Sequence, residues 1–319
     1  MGGCAYAAAA MALSPELEAL AARVSNWGRW GAGDRRGTLN LIDTTTVMRG
    51  VAAARQGKVF LLAIPFDEHG PQTDRSAPGR INPQRRMIAI NMSYTGDPGD
   101  SAFSDDAVEM GLQAATQWDA LAHCSYDGLL YNGVPASTVD EAGAHELGID
   151  RYGPIASRGV LLDVARALGV DHFDDNHAIS GDDLDRAVSL SRTRIEPGDI
   201  ICVRTGQHVF LGGDDPYRFA NPSPGIAPEA TEWLHDHDVA ACATDCLTFE
   251  PWPKPDGGYA FPVHQINLRD IGLPQGQIWA LDELAADCAA DGQYDFLLVA
   301  SPIPFTRAAG APVAPTAIK

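Results

Sequence analysis

The chain is short of positive charge. Its 23 lysines and arginines face 42 aspartates and glutamates, a formal net charge of −19 over 319 residues. So acidic a surface repels phosphate, which argues against nucleic acid or an anionic membrane as the main partner. Long apolar runs are missing too, and none approaches the length that spans a bilayer. The run Ala5 to Leu13 is apolar but brief and has no basic segment before it. Residues 1–12 therefore read as a disordered tail, not a signal peptide, and a cytoplasmic location is expected. The six cysteines (Cys4, Cys124, Cys202, Cys242, Cys246 and Cys288) contain no CxxC pair. Cys242 and Cys246 lack a second pair to complete a zinc site, so all six read as reduced thiols, mostly small core residues. Several chemical signatures are also absent. No GxSxG elbow is present, which argues against a hydrolase of the serine-elbow type. Neither GxxxxGK[ST] nor GxGxxG nor HExxH occurs.

What remains is the composition of a globular protein, with 45% hydrophobic and 20% charged residues. Residues 13–319 read as one large domain. Residues 13–24 suggest a helix with Ser14 as cap and Pro15 in the first turn. Further helices are expected over 44–56, 137–147, 181–191, 227–236 and 278–290, and strands over 58–65, 86–93, 159–164, 196–206, 239–244 and 294–302. Strands and helices alternate, which indicates an α/β fold. Residues 67–85 and 95–106 read as long polar loops. Loops that long in a compact domain often carry function.

The densest chemistry lies at Gln113–Gly133, QAATQWDALAHCSYDGLLYNG. Asp119 and His123 are four residues apart, so they meet on one helical face or line one pocket wall. Such a pair can transfer protons or hold a metal. It reads equally as a capping acid at a helix start beside a satisfied core histidine.

This stretch resembles the hallmark HxGTHxDxPxH of the cyclase family, which includes bacterial kynurenine formamidases and isatin hydrolases. The resemblance extends through RGVLLDV at 158–164, GDIICVRTGQ at 198–207, ATD at 243–245 with Glu250, FPVHQINLRDIGLPQGQIWALDEL at 261–284 and FLLVASPIPFTRAAGAPVAPTAI at 296–318. It implies a swivelling β/β/α domain, a mixed sheet with flanking helices, assembled as a dimer or tetramer. The activity it implies is hydrolysis of an amide, cyclic amide or ester by metal-activated water. In the family, two histidines and the aspartate of the hallmark bind a divalent metal, helped by a downstream histidine and glutamate. The last histidine of the hallmark handles protons. Carried across, Asp119 keeps the aspartate, His123 the proton-handling histidine and His264 the downstream histidine.

Three positions depart. Gln113 and Gln117 stand at the two histidine positions, and Gln277 stands at the glutamate position. An amide carbonyl is a weak neutral ligand where a divalent ion wants imidazole or carboxylate. No tight two-metal centre is therefore expected and no cofactor is called for. The alternative is one weakly bound Zn or Mn on Asp119 and His264. Without a metal, Gln113, Gln117 and Gln277 are candidates to hydrogen-bond a substrate carbonyl, and Asp119, His123 and His264 to move protons. The leading function is hydrolysis of an amide, lactam, lactone or ester in a small cyclic or aromatic carbonyl compound. The alternatives are a metal-independent cyclase or dehydratase of secondary metabolism and a catalytically inactive small-molecule-binding protein.

Other residues carry two readings each. Trp118 and Tyr126 are candidates to stack on an aromatic substrate, or core fillers. Arg204 is a candidate for a substrate anion, or the partner of a local acid. Asp245 and Glu250 are candidates to orient His264, or ordinary cap and surface acids.

Overall fold

The computed structural model describes residues 13–73, 79–253 and 261–319. The expected N-terminal tail lies outside them, as do parts of two proline-containing loops, 74–78 and 254–260.

The strand Ile200–Arg204 shows how the sequence builds the architecture. Its IICV run is buried throughout. Ile200 and Cys202 enter one hydrophobic core, while Ile201 and Val203 enter another. A strand buried on both faces reads as a continuous apolar run because each face meets a separate layer. Residues Ala156–Asp163 do the same, with Leu161 on one side and Val160 and Leu162 on the other.

These strands belong to a nine-stranded mixed sheet. Its order is 59–61, 316–318, 295–299, 156–163, 200–204, 241–244, 275–277, 117–119 and 310–312. The central strands 156–163, 200–204, 241–244 and 275–277 run parallel, and the pairings on either side are antiparallel. Helices cover it. Leu184 and Ala187 of Gly181–Ser191 pack into one core, and Leu284, Ala285 and Cys288 of Asp282–Asp291 into the other. The first of these helices starts at a capping box. Ser180 Oγ accepts the Asp183 N–H at 3.2 Å, and the Asp183 carboxylate accepts the Ser180 N–H at 3.1 Å. The expected α/β class with a mixed sheet is the observed one.

Three local expectations fail. Residues 137–147 do not form a helix; Val139–Asp140 pairs with Gly143–Ala144 instead. Asp140 Oδ1 accepts the Ala142 N–H at 2.8 Å, and Gly143 takes φ +102°, so a side-chain turn displaces the helix. The segment 95–106 is only partly loop. Ala102–Glu109 pairs antiparallel with Gln84–Ser93, and its acids stay in water because this two-stranded sheet is largely exposed. The helix expected over 278–290 begins only at Asp282, because Ile278 takes φ +61° and Trp279 bridges to Ala63.

Candidate active site

The Asp119 segment is a strand and a tight turn, not a helix. Gln117–Asp119 runs antiparallel to Gln275–Gln277, with Gln117 opposite Gln277 and Trp118 opposite Gly276. Strand side chains alternate, so Gln117 and Asp119 share one face and Trp118 takes the other. Trp118 is fully buried, edge-on to Trp279 with ring centroids 4.9 Å apart, and its Nε1 donates to the Ala300 carbonyl at 2.7 Å. Removing so buried an indole typically costs about 3–5 kcal/mol. The core reading of Trp118 is the one its position supports; it does not reach a cavity.

After Asp119 the chain turns sharply, with the His123 N–H donating to the Ala120 carbonyl at 2.9 Å. The Tyr152 hydroxyl pins the turn through the Asp119 carbonyl at 2.7 Å. This brings His123 Nε2 to 3.9 Å from Asp119 Oδ1. Asp119 is buried. Its Oδ2 accepts from Gln277 Nε2 at 2.8 Å and from Gln275 Nε2 at 3.4 Å, while its Oδ1 has no hydrogen-bond partner. The Gln117 side-chain amide lies 2.5 Å from Gln277 Oε1. Gln113 approaches because residue 310 is glycine; a Cβ there would sit 2.7 Å from Gln113 Nε2.

His264 arrives from a different part of the chain. It ends the helical turn Pro262–His264, which is anchored by the buried Glu250. Glu250 accepts the N–H groups of Val263 at 3.3 Å and His264 at 3.1 Å, and its Oε1 lies 2.6 Å from His264 Nδ1. A carboxylate only accepts, so Nδ1 donates to it, and in the neutral ring the lone pair lies on Nε2. That Nε2 lies 3.3 Å from Gln277 Nε2 and 3.9 Å from Asp119 Oδ2. The Glu250 contact is a carboxylate–imidazole arrangement that fixes a ring for proton transfer.

His123 and His264, with ring centroids 6.3 Å apart, open onto a cavity of about 360 Å³. Arg80, Cys124, Leu247, Thr248 and Phe261 complete its wall. Asp119, Gln117 and Gln277 lie behind that wall, each at most 2% exposed. Larger clefts occur elsewhere. One of about 490 Å³ is lined by Arg55, Arg158, Arg192 and Arg194, but no histidine stands beside it. The smaller cavity is lined by two histidines. Burial pushes the Cys124 thiol up to about 12, helped by the nearby charges of Glu250 and Asp119, so it is no thiolate nucleophile at neutral pH. His123 is displaced the other way. Burial lowers its pKa below the ordinary 6.5, against the pull of Asp119 and with the help of His264 and Arg80.

Three expected site residues stand apart. Arg204 pairs with Asp163 at 3.0 Å and Asp282 at 2.6 Å, the local-acid alternative. The Tyr126 hydroxyl donates to Asp270 at 2.6 Å, with the Arg269 guanidinium 3.8 Å over its ring, in a separate cleft beside Trp27. Asp245 accepts from the Thr205 hydroxyl at 2.7 Å and the Gly206 N–H at 2.8 Å, so it braces that turn and not His264. Arg80, Gln275, Thr248 and Phe261 were not singled out in the sequence. The only signal for Arg80 was its place in the long 67–85 loop.

Comparison with known proteins fits this geometry. The Cyclase family model matches residues 59–251. A solved structure described as a novel cyclase is 38% identical, covers 94% of this chain and 99% of its own, and superposes with a TM-score of 0.86. Isatin hydrolase A from Ralstonia solanacearum is 19% identical over 86% of this chain and 98% of its own, with a TM-score of 0.60. A "predicted metal-dependent hydrolase" from Bacillus stearothermophilus is 16% identical over 82% of this chain and 97% of its own, with a TM-score of 0.51. No match was found among curated proteins. The fold is that of the cyclases and isatin hydrolases. The chain belongs to the cyclase family.

Relatives described as metal-dependent raise the question of whether these side chains fit a divalent ion. Among the described residues, no three His, Cys, Asp or Glu side chains are grouped to hold one. The Gln277 amide also points an N–H at Asp119 Oδ2, which leaves Oδ1 as the carboxylate oxygen open to a cation. The donor set of one carboxylate, two imidazoles and three amides does not fit a two-metal centre.

The lowered His123 pKa gives a direct prediction. Unfolded, this histidine protonates near 6.5; folded, it does so at lower pH. The unfolded chain therefore binds more protons in that window, and stability falls as pH drops through it. A rate that needs neutral His123 should stay flat at neutral pH and decline only below about 6.5. A pH–kcat/KM profile checks this, and an acid limb centred above 6.5 contradicts it.

Proposed function

We propose that this protein is an enzyme hydrolysing an amide, lactam, lactone or ester bond in a small carbonyl compound by acid–base chemistry. The observation that carries the reading is the Glu250–His264 contact at 2.6 Å, which leaves the His264 Nε2 lone pair at a cavity wall. In this reading Nε2 takes a proton from water as its oxygen attacks the substrate carbonyl. The same nitrogen then returns the proton to the departing nitrogen or oxygen. His123, held neutral by burial, exchanges the second proton near Asp119. Asp119 Oδ1, buried without a donor, attracts the positive charge that forms on either ring. Gln275 and Gln277 hold Asp119 in place, and Gln113, Gln117 and Gln277 stand where the family resemblance puts metal-binding side chains. The isatin hydrolase neighbours act on a cyclic amide, and the cavity volume suits a substrate of that size. The reading takes the protein as a cytoplasmic homo-oligomer; among the described residues no helix is long and apolar enough to cross a membrane.

The test is turnover of a panel of lactones, lactams and formanilides in water enriched in ¹⁸O. Hydrolysis places one labelled oxygen in the acid product. A product without label would favour dehydration or ring closure at the same three groups. Activity should survive chelator, and metal analysis after exposure to zinc and manganese and desalting should give far less than one ion per chain. Near two ions per chain would restore a two-metal hydrolase.

A further inference from the structure

We propose that the substrate of this site carries a carboxylate, and that Arg80 is the residue that binds it. The inference rests on the hydrolytic reading for the reaction but not for the binding.

Arg80 stands in the wall of the cavity that holds His123 and His264. It is half-buried, and the seat is built for it. A Cβ at residue 111 would lie 2.7 Å from Arg80 Cγ, so Gly111 leaves the room its stem occupies. Among the described residues its guanidinium has one hydrogen bond, a long 3.4 Å contact from Nη1 to the Gln113 carbonyl. No described carboxylate lies within ion-pair distance of it. Arg36 likewise has only a carbonyl partner, Tyr152 at 3.3 Å, but it lies away from this cavity, and three other partly buried arginines are matched. Arg158 binds Asp199 at 2.5 Å, Arg204 binds Asp163 and Asp282, and Arg269 binds Asp270 at 2.6 Å.

Arginine offers five donors in a planar fork that fits both oxygens of a carboxylate. A buried cation with that fork open and no counter-charge is stabilised by an incoming anion. Burial lowers the Arg80 pKa and the Asp119 charge offsets only part of this, yet the group stays charged at neutral pH. Its surroundings also make the charge necessary. The chain carries a net −19, so an anionic substrate needs a local cation to enter. Leu247 and Phe261 give the same cavity an apolar side for the body of the molecule.

The test is isothermal titration calorimetry of the full chain with benzoate and acetophenone, which are similar in shape, differ in charge and contain no bond the site would hydrolyse. Benzoate should bind at least tenfold tighter than acetophenone. Arg80→Met should remove that preference and leave acetophenone binding unchanged, and Arg80→Lys should keep part of it. Arg80→Gln serves in place of the Met variant if that one does not fold, as judged by its thermal midpoint. Equal binding of the two ligands, no detectable benzoate binding, or a preference that survives loss of the guanidinium overturns the proposal. His264→Gln, which stops turnover in the hydrolytic reading, should keep the benzoate preference. Loss of turnover and loss of anion binding are thus separate results.

Discussion

Replacing His264 by glutamine should lower kcat for the hydrolysed substrate by about 10²–10⁴-fold, the usual worth of a positioned general base. KM should change much less. The physical reason lies in one nitrogen. His264 Nε2 is the lone pair left at the cavity once Glu250 has fixed the proton on Nδ1. A glutamine amide fills similar space and is far too weak a base to take a proton from water. Glu250→Gln should be milder, about 10- to 100-fold, since a carboxamide oxygen still accepts from Nδ1 but no longer stabilises an imidazolium. Steady-state kinetics on both variants check this. A His264→Gln enzyme within tenfold of the parent would remove His264 from the chemistry.

Asp119→Asn should separate activity from stability. Asp119 is buried, accepts two amide hydrogen bonds on Oδ2 and none on Oδ1, and has no Lys or Arg within ion-pair distance among the described residues. An unpaired buried carboxylate destabilises a fold, so asparagine should leave the thermal midpoint unchanged or raise it. The same change removes the negative charge 3.9 Å from both His123 and His264. The rate should fall by at least about 10²-fold, because each ring must become positive during proton transfer. Strain kept at a site for the sake of its chemistry shows this signature. Thermal denaturation beside kinetics checks both halves. A midpoint lowered by several degrees with activity retained would make Asp119 a structural residue.

Particular elements show why sequence reading reached some of this and missed the rest. The strand Ile200–Arg204 was legible because both its faces are buried, which writes a continuous apolar run. The helix Gly181–Ser191 was legible because its cap is local. The stretch 137–147 misled, since its helix-forming residues are overruled by a single Asp140 side-chain turn. At the site, Asp119 and His123 stood out by their spacing and the family hallmark and His264 by its match to the family's downstream histidine, and the structure brings them together. Arg204 carried two readings, a substrate anion or an acid partner, and the structure gives it the acids. Its partners Asp163 and Asp282 are 41 and 78 residues away, and no local pattern announces such a pairing.

By itself the sequence determined the α/β class and the family. Those follow from which side chains are present, from period-two and helical patterns, and from the segments that resemble the family. Only the tertiary structure decided that Gln117 and Gln277 face each other across paired strands and that Glu250 holds His264. It also decided that Trp118 turns into the core and that an arginine from the 67–85 loop reaches the same cavity. These are contacts between residues 14 to 182 positions apart. Strand register and sheet order create them, and neither is written in any one stretch of the chain.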